Sequence, residues 1–288
     1  AIKGPIANGG VTDDTTPTFV GKSTAGATVT ILEGTTPVAS VVADANGKWT
    51  VALPAQNEGQ HAYTVSAQSV AGTIATAQFT LTVDVTAPEA PTIGGVKDDV
   101  GSVQDDLTNG GVTDDTTPSL TGTGAAGQTI NIYDNGGYVG STTANANGEW
   151  SYTVNPAFTS EGKHELTATS QDAAGNESPA SEPFVINLDV TPPDVTNVQL
   201  TVGPVTEDNI VNATESDGDV TLSGTLTGVP SDVSKTVLDV IVNGTHFVGT
   251  VSGETWSVNV PGSDLATDTD KQLEVVAKFI DAAGNSAV

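Results

Sequence analysis

Residues 144–154 read ANANGEWSYTV. The Asn-Gly pair is typical of a tight turn, and after it Trp150, Tyr152 and Val154 alternate with polar residues. An alternation of period two puts the apolar side chains on one face of an extended chain. The stretch therefore predicts a turn that leads into a half-buried β-strand.

The same stretch has a counterpart earlier in the chain. ADANGKW at residues 43–49 corresponds to ANANGEW at residues 144–150. The segment NGGVTDDTTP stands unchanged at residues 8–17 and 109–118. These matches show that the first two thirds of the chain are an internal repeat.

A third, more divergent copy shares a tryptophan, Trp256, and the segment DAAGN, which occurs at residues 172–176 and 281–285. Extended, Pro-bearing segments separate the copies: TVDVTAPEAP starts at Thr82 and NLDVTPPDV starts at Asn187. We therefore predict three domains, at residues 1–86, 87–191 and 192–288.

The pattern within each repeat predicts the fold class. Each repeat offers about seven short alternating runs, turn residues roughly every 8 to 12 positions, and one Trp. We predict an all-β chain of three tandem immunoglobulin-like β-sandwich domains in an extended rod, without helices. Asn46-Gly47, Asn147-Gly148 and Asn135-Gly136 are predicted to form tight hairpins.

Composition excludes several classes of function. The chain has 35 Asp and Glu against 8 basic residues, a formal net charge of -27, so nucleic acids and anionic membranes are poor partners. There is no Cys, which excludes disulfides and thiolate sites. No apolar run is long enough to span a membrane, and no secretion signal opens the sequence, so we expect an internal, monomeric piece of a secreted or cell-surface protein.

The order TDDTTP, glycine-rich turn, ANGxW, DAAGN and DVTxP linker resembles the bacterial Ig-like repeats of giant adhesins that type I systems secrete. The resemblance covers nearly the whole chain. It implies a stalk that projects from a bacterial surface toward a host cell and that calcium stiffens. It also implies two kinds of partner: neighbouring Ig-like domains of the same chain, and a host-cell glycan or protein.

The residues indicate calcium independently. Strand order in such a sandwich brings each DAAGN loop beside the linker that precedes its repeat. Short Asp and Asn side chains can then supply the six to eight oxygens that calcium prefers. The candidate ligands at the first linker are Asp84, Asp172 and Asn176, with Asp13 or Asp14 in addition. Those at the second linker are Asp189, Asp281 and Asn285.

Further acids lie in the loops that open the second and third repeats. The second repeat has an insertion, DDVGSVQDD, that the first lacks. Its candidate ligands and their third-repeat counterparts are Asp98, Asp99, Asp105, Asp106, Asp114, Glu207 and Asp208. Solvated acids are an equal alternative for these loops, and TDDTTP on its own is equally a plain turn.

The first repeat departs from the pattern. It reads SVAGT at residues 69–73 where the others read DAAGN, so a carboxylate is missing there. We expect this end to bind calcium weakly or not at all. A flexible joint and a neutral substitution are both consistent with that loss.

Two other classes of function compete with a stalk. Enzyme activity is not expected, because no catalytic motif occurs and His61 and His164 share one repeated position, as structural residues would. A loop-based glycan- or protein-recognition module is the alternative. The three Trp residues could offer a stacking platform for sugars, but their alternation with apolar residues favours the core.

Overall fold

A computed structural model describes residues 4–269 and 271–288. Within them the regular secondary structure is almost entirely β-strand, and turns and loops join the strands. The chain divides into two compact units. The first comprises the residues up to Gly94, Thr121–Tyr152 and Thr167–Pro183; the second comprises Gly95–Leu120, Thr153–Leu166 and Phe184–Val288.

From residue 4 onward, the first repeat has seven strands in two sheets. The strands are β1 (Gly10–Thr12), β2 (Thr18–Lys22), β3 (Thr28–Glu33), β4 (Thr36–Val42), β5 (Lys48–Ala52), β6 (Gly59–Gln68) and β7 (Ile74–Val83). One sheet has the order β1-β7-β6-β3-β4, and the other is the pair β2-β5. Strand β1 pairs with β7 in parallel, whereas β2-β5, β3-β4, β3-β6 and β6-β7 are antiparallel.

The second repeat copies this plan with two additional strands. Its strands are β8 (Thr92–Lys97), β9 (Asp106–Leu107), β10 (Gly111–Thr113), β11 (Ser119–Thr123), β12 (Thr129–Asp134), β13 (Gly137–Thr143), β14 (Glu149–Thr153), β15 (Gly162–Gln171) and β16 (Phe184–Leu188). The sheets have the orders β10-β16-β15-β12-β13 and β14-β11-β8-β9.

The third repeat forms one continuous hydrogen-bonded array. Its elements are β17 (Gln199–Leu200), α1 (Ala213–Ser216), β18 (Asp219–Thr227), β19 (Val233–Val242), β20 (Thr245–Ser252), β21 (Thr255–Pro261), α2 (Gly262–Thr267), β22 (Glu274–Asp281) and β23 (Ser286–Ala287). The strand order is β17-β18-β21-β20-β19-β22-β23. The two short helices correct the prediction of a chain without helices; α1 is held by a capping box between Asn212 and Glu215.

Each repeat buries its tryptophan against a glycine of the adjacent strand. A Cβ added to Gly21 would lie 2.2 Å from Trp49, one added to Gly122 would lie 2.4 Å from Trp150, and one added to Gly224 would lie 2.7 Å from Trp256. No side chain fits at those distances. The alternating apolar residues around these pairs form the cores of the first and third repeats.

The turns separate into two kinds, which corrects one prediction. Asn135 and Gly136 both have positive φ, 49° and 79°, and close a true hairpin between β12 and β13. The Asn46-Gly47 and Asn147-Gly148 turns instead connect strands that lie in different sheets. There Asp44 or Asn145 accepts the backbone N–H groups of the turn, so these are crossovers rather than hairpins.

The repeated NGGVT segment is explained by its pairing. The Asn8 side chain accepts a hydrogen bond from Thr80 N at 2.7 Å, and Asn109 accepts one from Val185 N at 2.8 Å. The glycine after each Asn donates to the same strand. This anchors the short parallel strands β1 and β10 and sets the position of the Asp-Asp pairs that follow them.

Candidate metal centres

The first linker site consists of Asp84, Asp172 and Asn176, and the structure brings the three together. Asp172 Oδ1 accepts the backbone N–H groups of residues 174–176 at 2.8 to 2.9 Å. Asn176 Nδ2 donates to Asp172 Oδ2 at 2.9 Å and to the Asp84 carbonyl oxygen, also at 2.9 Å. The DAAGN loop is thus tied directly to the linker, as the sequence predicts.

The second linker site, Asp189, Asp281 and Asn285, repeats this network. Asp281 Oδ1 accepts three backbone N–H groups, those of residues 283–285, at 2.8 to 2.9 Å. Asn285 Nδ2 donates to Asp281 Oδ2 at 3.0 Å and to the Asp189 carbonyl oxygen at 2.7 Å. The DAAGN segment therefore forms the same contact with the preceding linker in the second and third repeats.

The aspartate of each DAAGN loop accepts hydrogen bonds that suit an ionised carboxylate. Burial acts to raise the pKa of Asp172. Hydrogen bonds from the Asn176 side chain and from the backbone N–H groups of residues 174–176 outweigh it, so the pKa of Asp172 is lowered. A negative charge is thus stabilised beside the linker carbonyl.

The first repeat lacks this arrangement. Ser69 and Thr73 stand where Asp and Asn stand in the other repeats, and Ser69 Oγ accepts the Thr73 N–H at 3.0 Å. Thr73 has no amide with which to reach a preceding linker. The loop keeps its shape, since Ser69 N still donates to the Thr73 carbonyl oxygen.

The TDDTTP segments show the turn chemistry that was the alternative to metal binding. Asp14 Oδ1 accepts from the N–H and hydroxyl of Thr16, and Asp115 Oδ1 accepts likewise from Thr117. These are Asx turns, made by the second aspartate of each pair. Asp14 is exposed, however, whereas Asp115 is completely buried.

Four aspartates form what we call the acidic cluster of the second compact unit: Asp98, Asp114, Asp115 and Asp281. Three of them, all except Asp114, are at most 2% exposed. Burial, together with the charges of Asp98, Asp281 and Asp115, raises the pKa of Asp114. No cationic side chain among the described residues pairs with any of the four. Buried like charges without a counter-ion are costly.

Two oxygens of the acidic cluster have no hydrogen-bond partner within residues 4–269 and 271–288: Asp114 Oδ1 and Asp115 Oδ2, both buried. Other oxygens of the cluster are bonded to the protein, as with Asp98 Oδ2, which accepts from the Thr113 hydroxyl at 2.7 Å. An unpaired buried carboxylate oxygen is a group that a hard cation would satisfy.

The insertion DDVGSVQDD covers the acidic cluster. A Cβ added to Gly101 would lie 2.1 Å from Asp114 Oδ2, so the carboxylate packs directly on this backbone. Ser102 Oγ donates to the Gly284 carbonyl oxygen at 2.7 Å, which joins the insertion to the DAAGN loop of the third repeat. The first repeat lacks this insertion in its sequence.

The other predicted ligands lie apart from this cluster or at its edge. Asp99, Asp105 and Asp106 are exposed; of these, Asp105 contacts the cluster through its carbonyl oxygen, which accepts from Asp98 N at 3.0 Å. Glu207 and Asp208 are also exposed, and Asp208 Oδ1 closes its own turn with Ile210 N. Asp13 is half-buried and adjoins Thr12, whose carbonyl oxygen accepts from Asp84 N.

The oxygen-bearing groups at these sites are of the kinds that calcium prefers: carboxylates, a side-chain amide and loop carbonyls. Several of them are buried, and two carboxylates have an oxygen without a hydrogen-bond partner among the described residues. In the described part of the chain, no three Asp, Glu or His side chains converge as ready ligands of one ion. Many of their oxygens are instead engaged with backbone N–H groups. The candidates chosen from the sequence omit Asp115, although it is the most buried member of the cluster.

The tryptophans and histidines take structural positions. Trp49, Trp150 and Trp256 are 9%, 4% and 2% exposed, so none offers a face for sugar stacking. His61 Nε2 lies 2.8 Å from the Asn57 carbonyl oxygen, and His164 Nε2 lies 2.9 Å from that of Ser160. This shared contact explains why EGxH recurs at the start of β6 and β15.

The family follows from a direct match. The model of the bacterial Ig-like domain matches residues 4–85 and 88–191, more than half of the chain, and the chain therefore belongs to the bacterial Ig-like domain family. The prediction of an all-β fold with tandem Ig-like domains is confirmed. No curated protein matches the chain. Among the described residues, no helix has the length and apolar character that crossing a membrane requires.

Several solved structures of bacterial adhesins are similar. A Ca²⁺-stabilised adhesin with which an Antarctic bacterium binds ice is 28% identical over 94% of this chain and 66% of its own, with a TM-score of 0.49. A 1.5-MDa bacterial ice-binding adhesin is 27% identical over 94% and 87%, with a TM-score of 0.42. An immunoglobulin-like domain of the M. primoryensis ice-binding adhesin is 40% identical over 31% and 85%, with a TM-score of 0.28. This chain thus spans less than two thirds of the first adhesin chain.

Proposed function

We propose that this chain is a calcium-stiffened stalk segment of a large bacterial surface or secreted adhesin. The observation that carries the proposal is the acidic cluster, in which three aspartates are at most 2% exposed and no cationic side chain of the described residues compensates them. A stalk needs stiff linkers, and the cluster adjoins the DAAGN loop that is bonded to the second linker.

The residues that would hold calcium at the second linker are Asp98, Asp114, Asp115 and Asp281, with Asp189 in addition. At the first linker they are Asp84, Asp172 and Asn176, with Asp13 or Asp14. A bound divalent ion would neutralise the carboxylates, satisfy the free oxygens of Asp114 and Asp115, and favour the ordered linker over a loose one.

The two linkers are expected to differ in affinity. Asp281 is buried and the insertion contacts its loop at Gly284, whereas its counterpart Asp172 is half-buried and the first repeat has no insertion. A cation is held more strongly where carboxylates are more desolvated, because water screens it less. We therefore expect the second linker to bind calcium more tightly than the first.

The energies suit an extracellular switch. At free calcium about 100 times its dissociation constant, one site stabilises the ordered state by about 2.7 kcal/mol. Extracellular modules bind calcium with dissociation constants of about 0.1 to 1 mM. Millimolar calcium would then order the linkers, and a calcium-poor compartment would leave them free to bend.

The wider role is supported by the family and the repeat pattern. We propose that, within this class, the chain is most like the giant non-fimbrial adhesins that type I systems export, whose repeats form a long stalk that projects toward a host cell. We propose that this segment extends that stalk, contacts neighbouring Ig-like domains of the same polypeptide, and acts as a monomer. The parent protein would bind a host-cell glycan or protein.

Small-angle scattering in calcium and in chelator tests the proposal. The maximum dimension should increase in calcium and should not respond to the same concentration of magnesium, which demands stricter geometry. The variant Asp281→Asn should lose most of the calcium response, while Asp44→Asn, at an exposed crossover turn, should keep it. Equal dimensions of the native chain with and without calcium would contradict a calcium-stiffened stalk.

A further inference from the structure

Both ring nitrogens of His61 lie beside oxygens that accept hydrogen bonds. Nδ1 is 2.6 Å from Glu33 Oε1, and Nε2 is 2.8 Å from the Asn57 carbonyl oxygen. A neutral imidazole carries a hydrogen on only one nitrogen, so it can donate to one of these oxygens but not to both. The geometry therefore fits the imidazolium form, in which both nitrogens donate.

The surroundings of His61 stabilise its positive charge. Among the described residues, the titratable groups that face the ring are Glu33 of β3 and the phenol of Tyr63, on which the ring stacks with centroids 5.9 Å apart. Strand β7 faces it with Leu81. Burial lowers the pKa of His61, but the hydrogen bonds to the Asn57 carbonyl oxygen and to Glu33, with the charge of Glu33, outweigh it, so the pKa is raised.

The β5–β6 loop, residues 53–58, is tied to the rest of the first repeat on two sides. His61 bonds the carbonyl oxygen of Asn57, and Gln56 N donates to the Thr15 carbonyl oxygen at 2.7 Å. The His61 side chain is only 11% exposed, so little water is available to replace its bonds. The charge of this ring is thus part of what holds the loop in place.

The same loop also holds the first linker. Glu58 Oε1 accepts from the Thr86 hydroxyl at 2.7 Å. The second repeat has the matching contact, since Glu161 Oε1 accepts from the Thr191 hydroxyl at 2.7 Å and from Val190 N at 3.0 Å. The glutamate of EGxH therefore bonds the linker in both repeats. This is a direct hydrogen bond, which needs no cation.

We propose that His61 is a pH-sensitive clamp on the first linker. As the imidazolium it joins β3 to the β5–β6 loop, whose Glu58 bonds Thr86. Loss of the ring proton to water leaves either Glu33 or the Asn57 carbonyl oxygen facing a nitrogen lone pair, so the loop and its linker contact loosen. Because the pKa is raised, the stabilisation is complete below the ordinary value of 6.5 and is lost as pH rises through the raised value.

Amide hydrogen exchange of the intact chain in chelator tests the clamp. Two backbone amides report on it: Gln56 N in the loop, and Thr86 N in the linker, which donates to Asp84 Oδ1 at 3.1 Å. After correction for the intrinsic effect of pH on exchange, both should lose protection by about threefold to tenfold between about pH 6 and about pH 9. The ring-proton resonance of His61 should titrate above 6.5.

The variant Glu33→Gln should remove the response to pH without loosening the loop. An amide both donates and accepts, so it can donate to Nδ1 of a neutral imidazole while Nε2 still donates to Asn57. The Glu33 side chain is 40% exposed, which makes this exchange tolerable for the fold. The matched control is His246→Gln: His246 also lies beside a carboxylate, Asp239, but it is 64% exposed and belongs to the third repeat. The control should respond to pH as the native chain does.

Four results would each overturn the proposal. They are titration of His61 at or below 6.5, protection that stays constant with pH, a response in Glu33→Gln equal to the native one, and a response at Gln56 without one at Thr86. The experiment is carried out without calcium, so its failure is distinguishable from failure of the stalk proposal.

Discussion

Asn285 connects two segments that are far apart in sequence through one amide group. Its Nδ2 donates to Asp281 Oδ2 at 3.0 Å and to the Asp189 carbonyl oxygen at 2.7 Å. Asn176 makes the matching pair of bonds to Asp172 and Asp84. An Asp at either position could not replace it, because an ionised carboxylate has no hydrogen to donate.

Replacing Asn285 with Ala should lower the free energy of unfolding by about 1 to 3 kcal/mol, since a charged acceptor and a carbonyl lose their donor. Thr73→Ala is the matched control, at the same loop position in the first repeat, and should cost less than about 0.5 kcal/mol. Urea denaturation of both variants in chelator measures this. Equal losses would show that the amide does not hold the linker.

The raised pKa of Asp114 predicts that the stability of the folded chain depends on pH. Its pKa is raised by burial and by the charges of Asp98, Asp281 and Asp115, so it contributes stability below its ordinary pKa of 3.8 that is lost as pH rises through the raised value. Without calcium, Asp114→Asn should therefore be more stable than the native chain at pH 7. The difference should shrink as the pH falls toward about 4.

Denaturation of the two proteins at neutral pH and at the acidic end of this range, both in chelator, measures the effect. Calcium at neutral pH should reverse the order, because the native carboxylate then has a cation to bind. A difference between the proteins that stayed constant across this range would contradict the raised pKa.

The residues of the linker sites could be predicted from the sequence, but their burial could not. DAAGN and the linker aspartates can be found because they recur and because strand order brings them together. Asp14 and Asp115 stand in identical TDDTTP segments, yet one is exposed and the other buried. Burial depends on what the rest of the fold packs against each segment, and no local pattern contains that information.

The insertion, residues 98–106, is the element that makes the second linker site unlike the first. It closes on itself through Asp98 N and the Asp105 carbonyl oxygen, 3.0 Å apart, and its Ser102 hydroxyl reaches Gly284. Gly101, at φ +66°, lets the backbone pass against the Asp114 carboxylate. The loop thus both brings acids together and excludes water from them.

The substitution Gly101→Ala should destabilise the protein by more than the strain of a positive φ alone would. The added Cβ would stand 2.1 Å from Asp114 Oδ2, so the carboxylate must move. Gly127→Ala is the control, since Gly127 also has positive φ, +78°, but nothing lies within 4 Å of its added Cβ. We expect the free energy of unfolding to fall by about 1 to 2 kcal/mol in the control and by roughly a further 1 to 3 kcal/mol in Gly101→Ala.

Thermal or urea unfolding measures both glycine variants, and calcium titration should show weaker binding for Gly101→Ala only. If the two variants lost equal stability and bound calcium equally well, glycine would be needed at position 101 only for its positive φ.

The sheets show where sequence patterns reach their limit. Period-two alternation correctly predicted the strands, and Asn135-Gly136 correctly predicted a hairpin. The Asn-Gly pairs before Trp49 and Trp150 did not form hairpins, because the strands they join enter different sheets. A dipeptide defines the local turn, whereas the sheet that a strand joins depends on which apolar face the rest of the repeat must cover.

The molecule contains tandem bacterial Ig-like domains, matched at residues 4–85 and 88–191, and it has a strong acidic excess, -27 in formal charge. That excess opposes a compact, ordered chain unless cations offset it. The predicted boundaries at residues 86 and 191, and the rod itself, stay predictions. The repeat and its candidate ligands can be read from the sequence, whereas the uncompensated burial of the acidic cluster is visible only in the structure.

The most direct measurement of the central claim is a calorimetric calcium titration of the chelator-treated chain, beside Asp281→Asn and the control Asp44→Asn. We expect at least two bound ions for the native chain and the control, with loss of the tighter site in Asp281→Asn. Absence of binding heat at millimolar calcium, or an unchanged titration of Asp281→Asn, would contradict a calcium-stiffened stalk.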